Sequence, residues 1–311
     1  MHMADALVST PVALTTGGIA IALIAAASAK VKSITREDIV PLMGVMGAFV
    51  FAAQMINFAI PGTGSSGHII GGILLAALLG PWAAFITLAS VLIIQCLIFA
   101  DGGLMALGCN LINMGAMSCL VAYPLVYRPI AGDNSSKGRI IVASILACIF
   151  SLEGGAFLVT AETELSGVTA LSTGAFLGLM TSIHLAIGAC EGVATAVILS
   201  FVKTYQPAIL YSPHSSEINH KKVKLKQVLF GFGIAALVMA VGFTWIASAS
   251  PDGLEWSIEK ITGNTEIGEA TIPSTALIPD YDSTFAGIIG GLIVIAMLWC
   301  VTALLFRKKK R

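Results

Sequence analysis

The sequence predicts an all-α polytopic membrane protein, and three observations carry that prediction. Hydrophobic residues fill 57% of the 311 positions and charged residues only 11%, whereas a soluble domain carries about 25% charged residues. Apolar stretches recur along the whole chain, most of them near the roughly 20 residues that cross a bilayer core as a helix. Lysine and arginine fall, with one exception, in alternate connections, as the positive-inside bias requires.

The apolar stretches run over roughly 11–29, 39–56, 68–80, 82–100, 103–126, 139–160, 168–201, 227–248 and 283–306. The third is short for a full span and reads as a tilted or partly re-entrant helix interrupted at Gly80-Pro81. The seventh is long, with room for a broken segment around Ser172-Thr173-Gly174. With nine spans and the amino terminus outside, the inside segments hold Lys30, Lys32 and Arg36, then Arg128, Lys137 and Arg139. They also hold Lys203, Lys221, Lys222, Lys224 and Lys226, and the basic tail Arg307–Arg311. Of the positive charges only Lys260 falls outside, so losing any one span would break the pattern. The carboxyl terminus is then cytoplasmic.

The first apolar run has no basic segment ahead of it, and its charges follow at Lys30 and Lys32, unlike a cleavable signal peptide. Met1 is therefore expected to stay attached and to lie on the external side. His2 also protects it, because aminopeptidases that trim an initiator residue need a small second side chain. The six cysteines, Cys96, Cys109, Cys119, Cys148, Cys190 and Cys300, lie within apolar runs without a C-x-x-C pair and read as small buried hydrophobes.

Three sections follow from these patterns: a seven-span unit over 1–203, a basic linker over 204–226, and a two-span unit over 227–311 with an external loop at 249–282. Pro207 and Pro213 discourage continuous helix in the linker. No G-x-x-x-x-G-K-[ST] occurs, so this chain is read as no enzyme, and ATP hydrolysis for active transport falls to another chain. Small residues at four-residue spacing, Gly18-Ala22-Ala26 in the first span and Gly44-Ala48-Ala52 in the second, form grooves that admit a close helix neighbour. Packing within the same bundle and docking of a partner subunit both fit them.

Among the five histidines, His214 and His220 sit beside lysines in the linker and read as solvated loop residues. His2, His68 and His184 lie elsewhere. A free amine followed by histidine chelates a metal through the amine, the His2 backbone nitrogen and an imidazole nitrogen, three donors close to one plane. One more imidazole completes a square of nitrogens, a geometry that suits Ni²⁺ or Cu²⁺ and fits tetrahedral Zn²⁺ badly. On the dipeptide alone, an exposed terminal residue is the better-supported reading. His68 favours the metal reading: it follows the Gly-rich turn Pro61–Gly67 at the external end of its span, where a terminal His2 would meet it. Polar groups inside apolar spans are treated as functional candidates. His184 and Glu191 are seven apart on one helix face, Glu153 lies in the sixth span, and Asn110 and Asn113 are one turn apart in the fifth. A buried network that registers helices and an outer shell that orients His68 both fit these residues.

Several motifs resemble one family in order along the first 200 residues: Met1-His2-Met3, Gly64-Ser65-Ser66-Gly67-His68 with Gly71-Gly72, and Leu79-Gly80-Pro81-Trp82. They continue with Asp101-Gly102-Gly103-Leu104, Ala106-Leu107-Gly108 with Asn110 and Asn113, and His184–Gly188 leading to Glu191-Gly192. The chain is identified by these as similar to the nickel/cobalt substrate-binding S-components of energy-coupling-factor transporters. Ser250-Pro251-Asp252-Gly253-Leu254-Glu255 and Ile278-Pro279-Asp280-Tyr281 resemble the two-span module often fused to them. The resemblance implies a seven-helix bundle plus two further transmembrane helices, with the Met1 amine, His2 and His68 as metal ligands. It implies supporting roles for Ser66, Asn110, Asn113, His184 and Glu191. It also implies Ni²⁺ or Co²⁺ as transported substrate, a transmembrane T-component and a pair of ABC-type ATPases as partners, and a place in a prokaryotic inner membrane. Nucleic acid has no part in it. A cobalt importer subunit serving cobalamin synthesis and an ion-coupled carrier without ATPase are the alternatives. An intramembrane metalloenzyme is disfavoured, since no H-E-x-x-H pair accompanies the histidines.

Overall fold

A computed structural model describes residues 1–33, 39–132, 136–211, 225–265, 276–278 and 283–306. His214, His220, most of the basic linker, Pro279-Asp280-Tyr281 and the basic tail lie outside the described residues. The described chain is helical apart from one small hairpin. Its elements are α1 (Thr10–Lys32), α2 (Ile39–Gln54), β1 (Phe58–Ile60), β2 (Ser65–Gly67), α3 (Gly72–Leu79) and α4 (Pro81–Phe99). Then follow α5 (Leu107–Ala131), α6 (Lys137–Ser166), α7 (Thr173–Tyr205), α8 (Leu225–Phe243), α9 (Gly253–Thr262) and α10 (Ser283–Leu305).

Seven of these helices are long and apolar enough to cross a bilayer: α1, α4, α5, α6, α7, α8 and α10. The remaining two predicted spans are shorter. Helix α2 is apolar but has only 16 residues, about 24 Å of rise. The 68–80 stretch contains only eight helical residues, about 12 Å. Its first part is non-helical, and α3 ends at Gly80, whose φ of 84° and ψ of 159° break the path before Pro81 opens α4. The anticipated interruption at Gly80-Pro81 is thus present, whereas the break at Ser172-Thr173-Gly174 is the start of α7 and not an interior kink.

Non-helical backbone at this depth is tolerated only where protein satisfies its polar groups. The Glu191 carboxylate of α7 does so, accepting hydrogen bonds from the backbone N–H groups of Ile70 and Gly71, both at 2.9 Å. Gln54 Nε2 donates to the Ile70 carbonyl at 2.7 Å. A carboxylate at the start of α3 also meets the positive end of that helix. Every residue of α3 is buried, which makes it the central element of the bundle.

The groove Gly44-Ala48-Ala52 is filled from within. Gly291 of α10 lies against Ala48, and Ile295 lies against Gly44. The corresponding stripe on α1 is exposed at Gly18, Ala22 and Ala26. Helix α1 instead meets α5 on its Thr16-Gly17 side, where a Cβ on Gly108 would overlap the Gly17 backbone. Because backbone cannot rotate aside, Gly108→Ala is expected to lower stability by about 1–3 kcal/mol, read as a reduced unfolding temperature in detergent. Four cysteines are buried as anticipated, but Cys190 and Cys300 are exposed on outward helix faces. An apolar surrounding there is lipid and not protein core, a distinction that composition alone does not make.

Candidate metal centre

The amino-terminal nine residues fold back into the bundle and are held by the Asn110 side chain of α5 and by backbone N–H groups of the loop before it. Asn110 clamps Met3 at both polar groups: its Oδ1 accepts from Met3 N at 2.8 Å, and its Nδ2 donates to Met3 O at 3.2 Å. Gly103 N adds a third bond to Met3 O at 2.9 Å. Asp5 accepts from Met105 N and Ala106 N at 2.8 and 3.2 Å. Gly103 is required for this approach, since a Cβ there would overlap both the carboxyl and the backbone nitrogen of Asp5. Met1 and Met3 are consequently buried, at 4% and 0% exposure.

This docking brings His2 to His68. Their rings stack with centroids 5.2 Å apart and planes 26° apart. The Nδ1 of His68 faces the Ile69 carbonyl at 3.1 Å. A carbonyl only accepts, so Nδ1 carries the proton and Nε2 is left as a free electron pair. His2 lies between Gln95 Oε1, 3.3 Å from its Nε2, and Asp101 Oδ1, 3.3 Å from its Nδ1. Burial and the nearby Met1 ammonium push His2 down to about 3 and His68 to about 4. Both imidazoles are therefore neutral at physiological pH, the form in which they ligate a metal. Burial raises Asp101 above the usual carboxylate range.

The Met1 nitrogen is 2.6 Å from Oδ2 of Asp252. That carboxylate is itself fixed, because Oδ1 accepts from Leu254 N and Glu255 N while Glu255 Oε2 accepts from Asp252 N, a capping box that opens α9. Burial alone would raise Asp252; the Met1 ammonium and its hydrogen bond outweigh it and hold the carboxyl well below the usual range. The adjoining backbone is pinned to β2, with Ser66 N donating to Pro251 O at 2.8 Å and Ser66 Oγ to Ser250 O at 2.7 Å. Trp256 Nε1 adds a bond to Thr63 O at 3.0 Å. Pro251-Asp252-Gly253 thus forms a helix cap set against the amino terminus.

The supporting residues named from the sequence divide into groups. Ser66 anchors the Asp252 loop, and Asn110 anchors Met3. Asn113 Nδ2 donates to Glu162 at 2.6 Å and faces the Met3 sulfur at 3.6 Å. Glu191 caps α3 as described. His184 is the one that reaches the centre: with Met1, Gly67, His68, Asp252 and Gly253 it lines a cavity of about 10 Å³. Its Nδ1 bonds the Met180 carbonyl at 2.7 Å, and its buried Nε2 has no hydrogen-bond partner among the described residues. Glu153 has an equally unpartnered oxygen but does not line this cavity. Sequence reasoning misses Gln54, Gln95 and Asp5, and it gives no role to Asp101 or Asp252. A search for ionisable groups in apolar spans passes over glutamine, although an uncharged amide in such a span equally demands a partner.

Comparison with known proteins agrees with this architecture. Residues 2–209 match the family model described as CbiM, cobalt uptake substrate-specific transmembrane region, and residues 226–307 match the PDGLE domain. A protein of Archaeoglobus fulgidus, provisionally named a fused nickel transport protein NikMN, is 32% identical over 97% of this chain and 98% of its own. The cobalt transport protein CbiM of Sorangium cellulosum is 30% identical over 68% of this chain and 94% of its own. A crystal structure of a truncated transition metal transporter superposes with a TM-score of 0.58 at 29% identity, covering 66% of this chain and 99% of that one. With seven helices fit to cross a membrane and a family match over two-thirds of its length, the chain belongs to the CbiM family of nickel and cobalt transport proteins, as a multi-pass membrane member that also carries a PDGLE domain.

Proposed function

We propose that this chain is the metal-capturing subunit of an importer, that it binds Ni²⁺, or Co²⁺ in second place, at the external face, and that Met1, His2 and His68 supply the ligands. The observation that carries the reading is the meeting of the buried Met1 nitrogen and His2 with His68, an imidazole whose bare Nε2 is left for a metal. The amine, the His2 amide nitrogen and His2 Nδ1 form two fused chelate rings, and His68 Nε2 fills the fourth corner. Such a planar nitrogen set favours Ni²⁺ over Zn²⁺. Binding must release the ammonium proton and the His2 amide proton and break the pair with Asp252, so affinity falls steeply as pH drops. The imidazoles take no part in that fall above about pH 5, because both are already neutral.

The positive-inside distribution supports an external amino terminus and a cytoplasmic carboxyl terminus. The division into a metal-binding unit over 1–203, a linker over 204–226 and a two-span unit over 227–311 follows the same charge and hydropathy pattern. A T-component and a pair of ABC-type ATPases complete the importer, since this sequence holds no P-loop. The test is titration of purified protein with Ni²⁺ and Co²⁺, with an absorption spectrum for planar coordination. His68→Ala is expected to weaken Ni²⁺ by about 100-fold, roughly 2.7 kcal/mol, with an unchanged unfolding temperature. An unaltered nickel isotherm in that variant would remove His68 from the site. Tighter and stoichiometric Co²⁺ binding would make cobalt the substrate.

A further inference from the structure

A line of hydrogen bonds runs from His2 into the centre of the bundle, and its direction is set at the far end. The Ile70 carbonyl can only accept, so the Gln54 group facing it at 2.7 Å must be the NH₂. Gln54 therefore turns its oxygen toward Gln95, at 2.8 Å. Gln95 must answer with its own NH₂, because two amide oxygens at that separation would repel. That leaves Gln95 Oε1 as the atom facing His2 Nε2 at 3.3 Å, an acceptor that is satisfied only if Nε2 carries the imidazole proton.

We infer that Gln95, backed by Gln54, is a positioning residue that sets the tautomer of His2 and so leaves Nδ1 bare for the metal. The inference rests on the terminal-chelate reading above. Nδ1 is the nitrogen the chelate needs: with the His2 amide nitrogen it closes a six-membered ring, whereas Nε2 points away from its own backbone. Asp101, 3.3 Å from Nδ1, selects the opposite tautomer. The contest is unequal. Gln95 is fully buried at 0% exposure, and a buried acceptor left without a donor bears its full desolvation cost. The Asp101 side chain is 26% exposed and has water as an alternative partner. Ile70 is held in turn by Glu191, so the orientation of a terminal imidazole traces back through two amides to the cap of α3.

The test is ¹⁵N spectroscopy of histidine-labelled, metal-free protein, with His2 assigned by its loss in His2→Ala. The wild type is expected to show Nε2–H at His2, and Asp101→Asn should leave it so. Gln95→Leu should move the proton to Nδ1 and weaken Ni²⁺ about 10- to 100-fold, as loss of a ligand-orienting partner does. Gln95→Glu, which retains an oxygen for Nε2–H, should restore both. Nδ1–H in the wild type, or Nε2–H undisturbed in a folded Gln95→Leu protein, overturns the inference. Because the tautomer is read without metal, nickel binding that survives His2→Ala would overturn the terminal chelate separately.

Discussion

Adding a single residue before Met1 is expected to abolish high-affinity nickel binding, with a loss of about three orders of magnitude or more, roughly 4 kcal/mol. Extension turns the Met1 amine into an amide, which binds a metal only after giving up its own proton, and carries the free amine away from its buried place beside His2, so the amine, amide and imidazole set can no longer close its two fused rings there. It also meets a steric limit, because Met1 is 4% exposed and its nitrogen is already against Asp252. His2→Ala should cause a loss of the same order by removing an imidazole while leaving the amine and its ion pair intact. The pair of variants separates chemistry from folding. The extension should also lower the unfolding temperature, since Asp252 loses its cation and a buried charge without its partner is costly. His2→Ala keeps the ion pair and should lower that temperature less, by the cost of leaving the buried Gln95 Oε1 without its donor. Isothermal titration with Ni²⁺ and a melting curve for each variant decide the matter, and an extended protein that binds within a few-fold of the wild type would sink the terminal site.

Glu191→Leu should be the most damaging change to the bundle itself. The substitution leaves the Ile70 and Gly71 N–H groups without acceptors in the interior, at about 1–3 kcal/mol each. It also removes the anion from the start of α3. The bundle should lose about 3 kcal/mol or more in total, seen as poor recovery from the membrane and a depressed melting temperature. Nickel binding should fall along with it, because His68 is two residues before Ile70 on the same stretch of backbone. Glu191→Gln keeps one acceptor and should retain an intermediate stability. If Glu191 were instead a carrier of protons, Gln would stop transport with no change in melting.

Membrane residence, seven of the helices and the meeting of His2 with His68 are legible in the sequence, through hydropathy, charge placement and the motifs around Gly64–His68. Ser66, Asn110 and Glu191 stand out there as polar groups with a purpose, but their purposes are to bond specific backbone atoms of Pro251, Met3 and Ile70. Such partners lie far along the chain, and no local periodicity encodes them. The third span reads as short, yet its non-helical start depends on a carboxylate 121 residues away. Asp252 is hidden for a different reason: Pro-Asp-Gly is a sufficient signal for a turn, so nothing in the tripeptide calls for a cation beside it.

The contact between the Met1 nitrogen and Asp252 spans 251 positions of sequence. Contacts of such separation belong to a high contact order and form late, because the intervening chain must first be brought to order. During synthesis the residues that leave the ribosome first would thus be the last to find their place. The berth for them in the bundle is shaped by α5 and α7 and closed over by the loop before α9. Ion uptake by a newly made molecule would then serve as a readout of finished assembly, and a pulse-labelled chain stalled before residue 252 should remain unable to close its own amino terminus.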